Sequence, residues 1–181
     1  MYFFDSETIE KEAGFPEWVE AMEDALSAIV TGDFVLPKRM HLDRGSDTFL
    51  LMPCISDEYW ATKLVSFCPG NREQGRPSIY GTVVLSSSET GEPLAVMDGT
   101  RITSMRTGAV SAAGIKLLSH AETSRLGIVG TGVQGLYQAI FACSVRKILQ
   151  VRAYDQVEAK AARFRDIMQS TYPGIRIILC E

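Results

Sequence analysis

The chain has 181 residues, 46% of them hydrophobic, and a formal net charge of −4. That balance fits a globular chain with material for one good core or two small ones, and its mild acidity gives nucleic acid or an anionic membrane surface nothing to bind. No apolar run approaches the roughly 18 residues of a membrane span, and the start, Met1–Glu7, lacks the basic and then apolar pattern of a secretory signal, so a cytoplasmic location is expected.

In chain order, residues 5–12 have the makings of one short helical turn. Pro16 then opens a helix predicted over 17–30, with Trp18, Met22, Ala25, Leu26 and Ile29 along one face, and Gly32 ends it. Val35–Arg39 reads as extended. Strand-like runs follow at 48–52, 59–67, 79–86 and 94–97, separated by turn residues such as Pro69-Gly70-Asn71 and Glu89–Pro93. These make a largely antiparallel region whose edges need covering. A helix rich in small residues is predicted over 102–119; Ala109, Ser111, Ala112, Ala113 and Gly114 would admit another backbone or a ligand. From Arg125 the pattern becomes β (125–129), α (133–144), β (148–154), α (157–169), β (175–179). The fold class is therefore α/β: an α+β region over 1–119, then the first βαβαβ half of a Rossmann domain over 120–181. A strand at 175–179 would lie buried near the middle of a parallel sheet, so the reading expects the chain to be part of a longer protein.

The most informative stretch is Ile128–Gly135. An apolar run, Leu126–Val129, leads into Gly130, Gly132 and Gly135 at G-x-G-x-x-G spacing, a helix follows, and Asp155 stands about 20 residues further on, at the end of the next apolar run. Gly130 allows the tight turn, Gly132 lets the backbone approach a pyrophosphate, and Gly135 lets helix and strand pack closely, while the helix N-terminus meets the phosphate charge. A plain glycine turn between strand and helix would leave Asp155 unexplained. The cysteines, Cys54, Cys68, Cys143 and Cys180, form no C-x-x-C pair and have only His41 and His120 to complement them. Buried free thiols are expected, and no metal site. Neither a G-x-S-x-G elbow nor an H-E-x-x-H motif occurs.

The run from Ala95 through Asp98-Gly99-Thr100-Arg101-Ile102-Thr103-Ser104-Met105-Arg106-Thr107-Gly108 to Ser111, followed by Gly130–Gly135, resembles the ornithine cyclodeaminase/mu-crystallin family. Pro37-Lys38-Arg39, Met52-Pro53, Lys63-Leu64-Val65, Pro69-Gly70-Asn71 and Thr90–Leu94 occur in that family's order. The resemblance implies a nicotinamide cofactor that oxidises an α-amino acid to an imine or runs the reverse reaction. In the cyclodeaminases, ornithine's side-chain amine attacks the imine, ammonia leaves, and proline is formed. It implies that Arg39, Lys63 and Arg106 bind the substrate carboxylate, Arg106 in two-pronged fashion; ordinary ion pairs with some of the 22 acids are the competing account. Ser78, Arg106 and Thr107 resemble positions near the cofactor, although a loop serine facing water suits Ser78 equally. Val133 and Gln134 offer backbone N–H groups to the pyrophosphate, and Asp155 would accept from the adenosine ribose and repel a 2′-phosphate. Gln156 stands where NADP-preferring relatives tend to have Arg, so NAD is expected over NADP.

Two departures qualify the resemblance. The family's acid–base aspartate matches no residue here, so none of residues 1–181 is assigned as catalytic and the aspartate is expected beyond Glu181. Leu50 stands two residues before Met52, where ornithine-acting members carry an acid, and an apolar residue there suits a substrate ammonium poorly. An ornithine cyclodeaminase, an amino-acid dehydrogenase, a cyclic imino-acid reductase and a non-catalytic, mu-crystallin-like dinucleotide-binding protein are the functions in contention, with a truncated, inactive product behind them. Beside this resemblance, residues 1–119 are expected to be the substrate-binding and dimerisation region, with a homodimer through the N-terminal β region as the assembly.

Overall fold

The computed structural model describes all of residues 1–181. Its elements, in order, are β1 (Tyr2–Phe4), α1 (Ser6–Glu12), α2 (Phe15–Thr31), β2 (Met40–Arg44), β3 (Asp47–Ile55), β4 (Tyr59–Phe67), a short 3₁₀ helix (Pro69–Gln74), β5 (Ile79–Ser87), β6 (Pro93–Asp98), α3 (Gly99–Leu118), β7 (Arg125–Val129), α4 (Val133–Val145), β8 (Gln150–Tyr154), α5 (Glu158–Thr171) and β9 (Arg176–Leu179). They form an α/β protein of two compact units. The first comprises Met1–Ala13 and Asp24–Thr103, the second Gly14–Glu23 and Ser104–Glu181. The division falls inside α3, at 103/104, where the sequence placed it at 119/120; a helix that continues across offers no break in composition to read.

The first unit is a six-stranded sheet in the order β1-β6-β5-β4-β3-β2. Every neighbouring pair is antiparallel except β1 with β6. Two of its strands escape the sequence pattern. β1 has only three residues. β2 extends the segment that the sequence ended at Arg39 and is exposed along its whole length, so its alternation marks no core. A two-residue turn with Gly45 at φ 60° joins β2 to β3, the positive angle that such tight hairpins demand. β5 crosses the start of α3 at two glycines. A Cβ on Gly99 would lie 2.7 Å from the Gly81 carbonyl carbon, and one on Gly81 would lie 2.9 Å from that of Gly99. The Gly81 N–H donates to Thr100 Oγ1 at 2.9 Å. Asp98 Oδ1 accepts from the N–H groups of Thr100 (2.8 Å) and Arg101 (3.0 Å), which caps α3 and starts it three residues earlier than predicted.

The second unit holds the parallel sheet β7-β8-β9. Ile128, Ile140, Val151, Phe164, Met168 and Ile175 fill the core between this sheet and helices α4 and α5. A second cluster joins Val19 of α2 to Met105, Ala109, Ala112 and Ala113 of α3 and to Phe141 of α4. The small residues of α3 thus admit a neighbouring helix: a Cβ on Gly108 would come within 2.4 Å of the Phe141 ring. Phe15 meets the same ring edge-on at 4.9 Å. The predicted apolar face of α2 is half-buried at Trp18, Met22 and Ala25, while Leu26 and Ile29 are exposed; the buried residue of the helix is Val19, outside that face.

All four cysteines are free, but the expectation of buried thiols does not hold. Cys54, Cys68 and Cys143 are half-buried and Cys180, just past β9, is exposed. Burial still pushes the Cys143 thiol up to about 11. No helix is long and apolar enough to cross a membrane.

Candidate functional site

The second unit brings the glycine motif and Asp155 together at the C-terminal ends of β7 and β8. Gly130, directly after β7, has φ 89°, which a residue with a side chain rarely adopts. Its N–H donates to the Tyr154 carbonyl at 2.8 Å and so ties the loop to the end of β8. A Cβ on Gly135 would sit 2.0 Å from the Gly130 carbonyl oxygen, so only glycine lets the first turn of α4 lie against the loop. Gly132 behaves differently. It is the N-cap of α4, at φ −68° and ψ −171°, and a Cβ there would meet nothing within 4 Å. The fold itself leaves this position open, as the approach of a ligand to the backbone would require.

The N-terminus of α4 has neither a side-chain cap nor an acid in its first turn. The first helical hydrogen bond runs from Leu136 N–H to the Gly132 carbonyl, so the N–H groups of Val133, Gln134 and Gly135 precede the ladder. Unspent donors at the positive end of a helix dipole favour a phosphate.

Asp155 is fixed by three hydrogen bonds. Its Oδ2 accepts from the Thr131 N–H at 2.7 Å and the Thr131 hydroxyl at 2.9 Å, and its Oδ1 accepts from the Val157 N–H at 2.9 Å. The Val157 and Thr131 N–H bonds, then the Thr131 hydroxyl and the more distant charge of Lys160, hold its carboxyl below the ordinary carboxylate range against a small opposing effect of burial. The group is therefore an anion at neutral pH. Thr131, only 6% exposed, is the residue that sequence reading passed over; as the variable position of a G-x-G it carries no pattern of its own.

Arg106 and Thr107 lie in the middle of α3, half-buried, in the same unit as the motif. The Arg106 Nε is buried and has no hydrogen-bond partner. A buried guanidinium donor left unmade is costly, and an anion supplied by a ligand would satisfy it. The remaining predicted residues belong to the first unit. Arg39 is exposed immediately before β2. Lys63 lies in β4 in register with Met52 of β3 and Val83 of β5, and Leu50 pairs with Val65. Because side chains alternate along a strand, Leu50, Met52, Lys63 and Val65 share one face of the sheet. Ser78 precedes β5, where its Oγ accepts from Arg72 Nε at 2.9 Å and keeps its own proton to donate.

A sequence profile described as the ornithine cyclodeaminase/mu-crystallin family matches residues 2–181. An alanine dehydrogenase of Archaeoglobus fulgidus is 33% identical over 181 residues, 97% of this chain and 56% of that protein. The solved structure of Thermococcus litoralis Delta(1)-pyrroline-2-carboxylate reductase in complex with NADH and L-proline is 34% identical and superposes with a TM-score of 0.93, over 100% of this chain and 57% of that one. An archaeal alanine dehydrogenase dimer with bound NAD gives 0.92 at 31% identity, over 100% and 56%. The chain spans just over half the length of each of these relatives. With the profile matched from the second residue to the last, the chain belongs to the ornithine cyclodeaminase/mu-crystallin family.

Proposed function

We propose that the protein is an NAD-dependent enzyme interconverting a small α-amino acid and its imine. The observation that carries this reading is the first turn of α4, which is uncapped and free of acids beside a Gly132 whose missing side chain leaves open space. NAD fits these residues: the N–H groups of Val133 and Gln134 would meet the pyrophosphate, and the Asp155 anion would accept from a ribose hydroxyl and repel a 2′-phosphate. The NADH-bound and NAD-bound relatives support that choice over NADP. Bound NAD supplies the hydride acceptor or, when reduced, the donor.

The chain's own part is binding and orientation. Arg39, Lys63 and Arg106 are proposed to hold the substrate carboxylate, with Arg106 chosen most strongly because its Nε is buried and unmatched. Ser78, Arg106 and Thr107 are proposed to border the cofactor. A carboxylate held at fixed cations limits which face of the α-carbon is presented and so raises the effective concentration of the reacting pair. Leu50 shares the sheet face of Lys63, and an apolar side chain there favours a short or cyclic apolar substrate over the ammonium of ornithine. The names of the relatives, an alanine dehydrogenase and a pyrroline-2-carboxylate reductase, favour the same side. A homodimer through the first unit's sheet completes the proposal, and the dimeric alanine dehydrogenase supports it.

The test is a substrate screen on the full-length protein, followed by the absorbance of reduced nicotinamide. Consumption of NADH with a cyclic α-imino acid, or with pyruvate and ammonia, is the expected outcome. Ammonia released from ornithine with no net change in NADH would mark a cyclodeaminase instead. Nucleotide binding without turnover of any amino or imino acid would mark a binding protein.

A further inference from the structure

Thr131 and Asp155 are joined by two hydrogen bonds at a single carboxylate oxygen. Thr131 directs two donors, its N–H at 2.7 Å and its hydroxyl at 2.9 Å, to one oxygen, Oδ2, while Oδ1 accepts only the Val157 N–H at 2.9 Å. A carboxylate oxygen offers about two lone-pair sites. Oδ2 is therefore filled by Thr131, and Oδ1 keeps one site. A carboxylate bonded at one oxygen could turn and offer either; one bonded in this way has a fixed plane and one available acceptor.

Resting on the reading that this loop holds NAD, we propose that Thr131 is a positioning residue for cofactor choice. By filling Oδ2 it leaves Oδ1 as the oxygen that receives a hydroxyl of the adenosine ribose, and it keeps the anion from swinging away when that ribose carries a phosphate. The discrimination between the two cofactors then belongs to the pair, with Asp155 supplying the charge and Thr131 its direction. The hydroxyl is the essential part, because the N–H is common to every residue type that fits the loop. Serine should serve as well as threonine, whereas valine, matched in shape, should not.

The experiment is calorimetric titration of the full chain with NADH and with NADPH, on the wild type and on Thr131→Val, Thr131→Ala and Thr131→Ser. The wild type binds NADH more tightly. Thr131→Val weakens NADH about tenfold, as loss of one hydrogen bond to a charged group does, and leaves NADPH unchanged or tighter, because the released carboxylate can turn from the 2′-phosphate, so the preference shrinks at least about tenfold. Thr131→Ala carries the same expectation and covers the case in which valine disturbs the fold. Thr131→Ser keeps the wild-type preference within about twofold. An unchanged preference in the valine and alanine variants overturns the proposal, and so does an equal loss for both nucleotides, which would assign Thr131 a merely structural role. Failure of the underlying NAD reading shows separately, in a wild type that binds neither nucleotide or prefers NADPH.

Discussion

Gly132 and Gly135 stand three residues apart in one motif and are required for different reasons. A methyl on Gly135 would lie 2.0 Å from the Gly130 carbonyl oxygen, a backbone atom with no room to yield, whereas a methyl on Gly132 would meet nothing. Gly135→Ala should therefore cost on the order of 3 kcal/mol and lose nucleotide binding together with stability. Gly132→Ala should cost about 1 kcal/mol, the usual loss of a poorer N-cap, yet weaken nucleotide binding at least about tenfold by crowding the approach to the amides. Melting temperature and NADH affinity measured on both variants check this; tight binding by Gly132→Ala would remove the pyrophosphate from above this loop. The spacing of the glycines and Asp155 was legible in the sequence because it describes one local unit, strand, turn, helix and strand. Thr131 was not, since its hydroxyl matters only through a carboxylate 24 residues away, and no periodicity encodes that pairing.

Among the elements, α3 has an unusual degree of definition at both ends. Asp98 caps its start. At its finish the Arg146 guanidinium donates to the carbonyls of Ile115 (3.2 Å), Lys116 (2.8 Å) and Ser119 (3.2 Å), to the Ser119 hydroxyl (3.1 Å) and to the His120 carbonyl (3.2 Å). These are the acceptors that the end of a helix leaves unmade, and a cation there also meets the negative end of the dipole. Arg146→Met should lower stability by about 2 kcal/mol and Tm by about 4–8 °C for a chain of this size. Arg146→Lys should recover only part of the loss, because an ammonium cannot spread its donors over the same fan of oxygens. Thermal denaturation of the two variants decides it; equal Tm values for wild type and Arg146→Met would show that water serves those carbonyls as well. The sequence pattern found α3 but not its first turn, because Gly99 and Thr100 read as a loop until the crossing with Gly81 is known. It found β3 to β6 through their apolar content. It missed β2, which buries nothing, and β1, which is too short to show a period.

At the scale of the whole molecule, the first unit's sheet presents Met40, Leu42, Leu64 and Tyr80, all exposed, on one face. The strand registers place Phe49 and Leu51 between them. Lone exposed apolar residues are ordinary, but a contiguous set across the four neighbouring strands β2 to β5 marks an interaction surface. The proposed homodimer would cover it. Light scattering on the full-length protein should give a dimer mass, and Leu64→Glu together with Tyr80→Lys should shift it to a monomer; a variant that stays dimeric would move the interface elsewhere. The antiparallel region followed by a parallel mononucleotide-binding half was legible in the sequence, as was the family. The boundary between the compact units was not.

The connection between α3 and β7 has a consequence for how this chain tolerates change. Surface connections usually absorb insertions and deletions freely. Here Arg146 holds the chain at Ser119 and His120, the Thr123 N–H donates to the His120 carbonyl at 3.0 Å, and the Ser124 carbonyl accepts from Leu149 N–H at 2.8 Å and Gln150 N–H at 3.2 Å. Both banks of this six-residue span, 119–124, are moored, so its length is as much a part of the specification as any side chain. Relatives that lengthen or shorten this span would need a different residue at the position of Arg146, and grafted loops or tags would be accepted almost anywhere on the surface before they were accepted here.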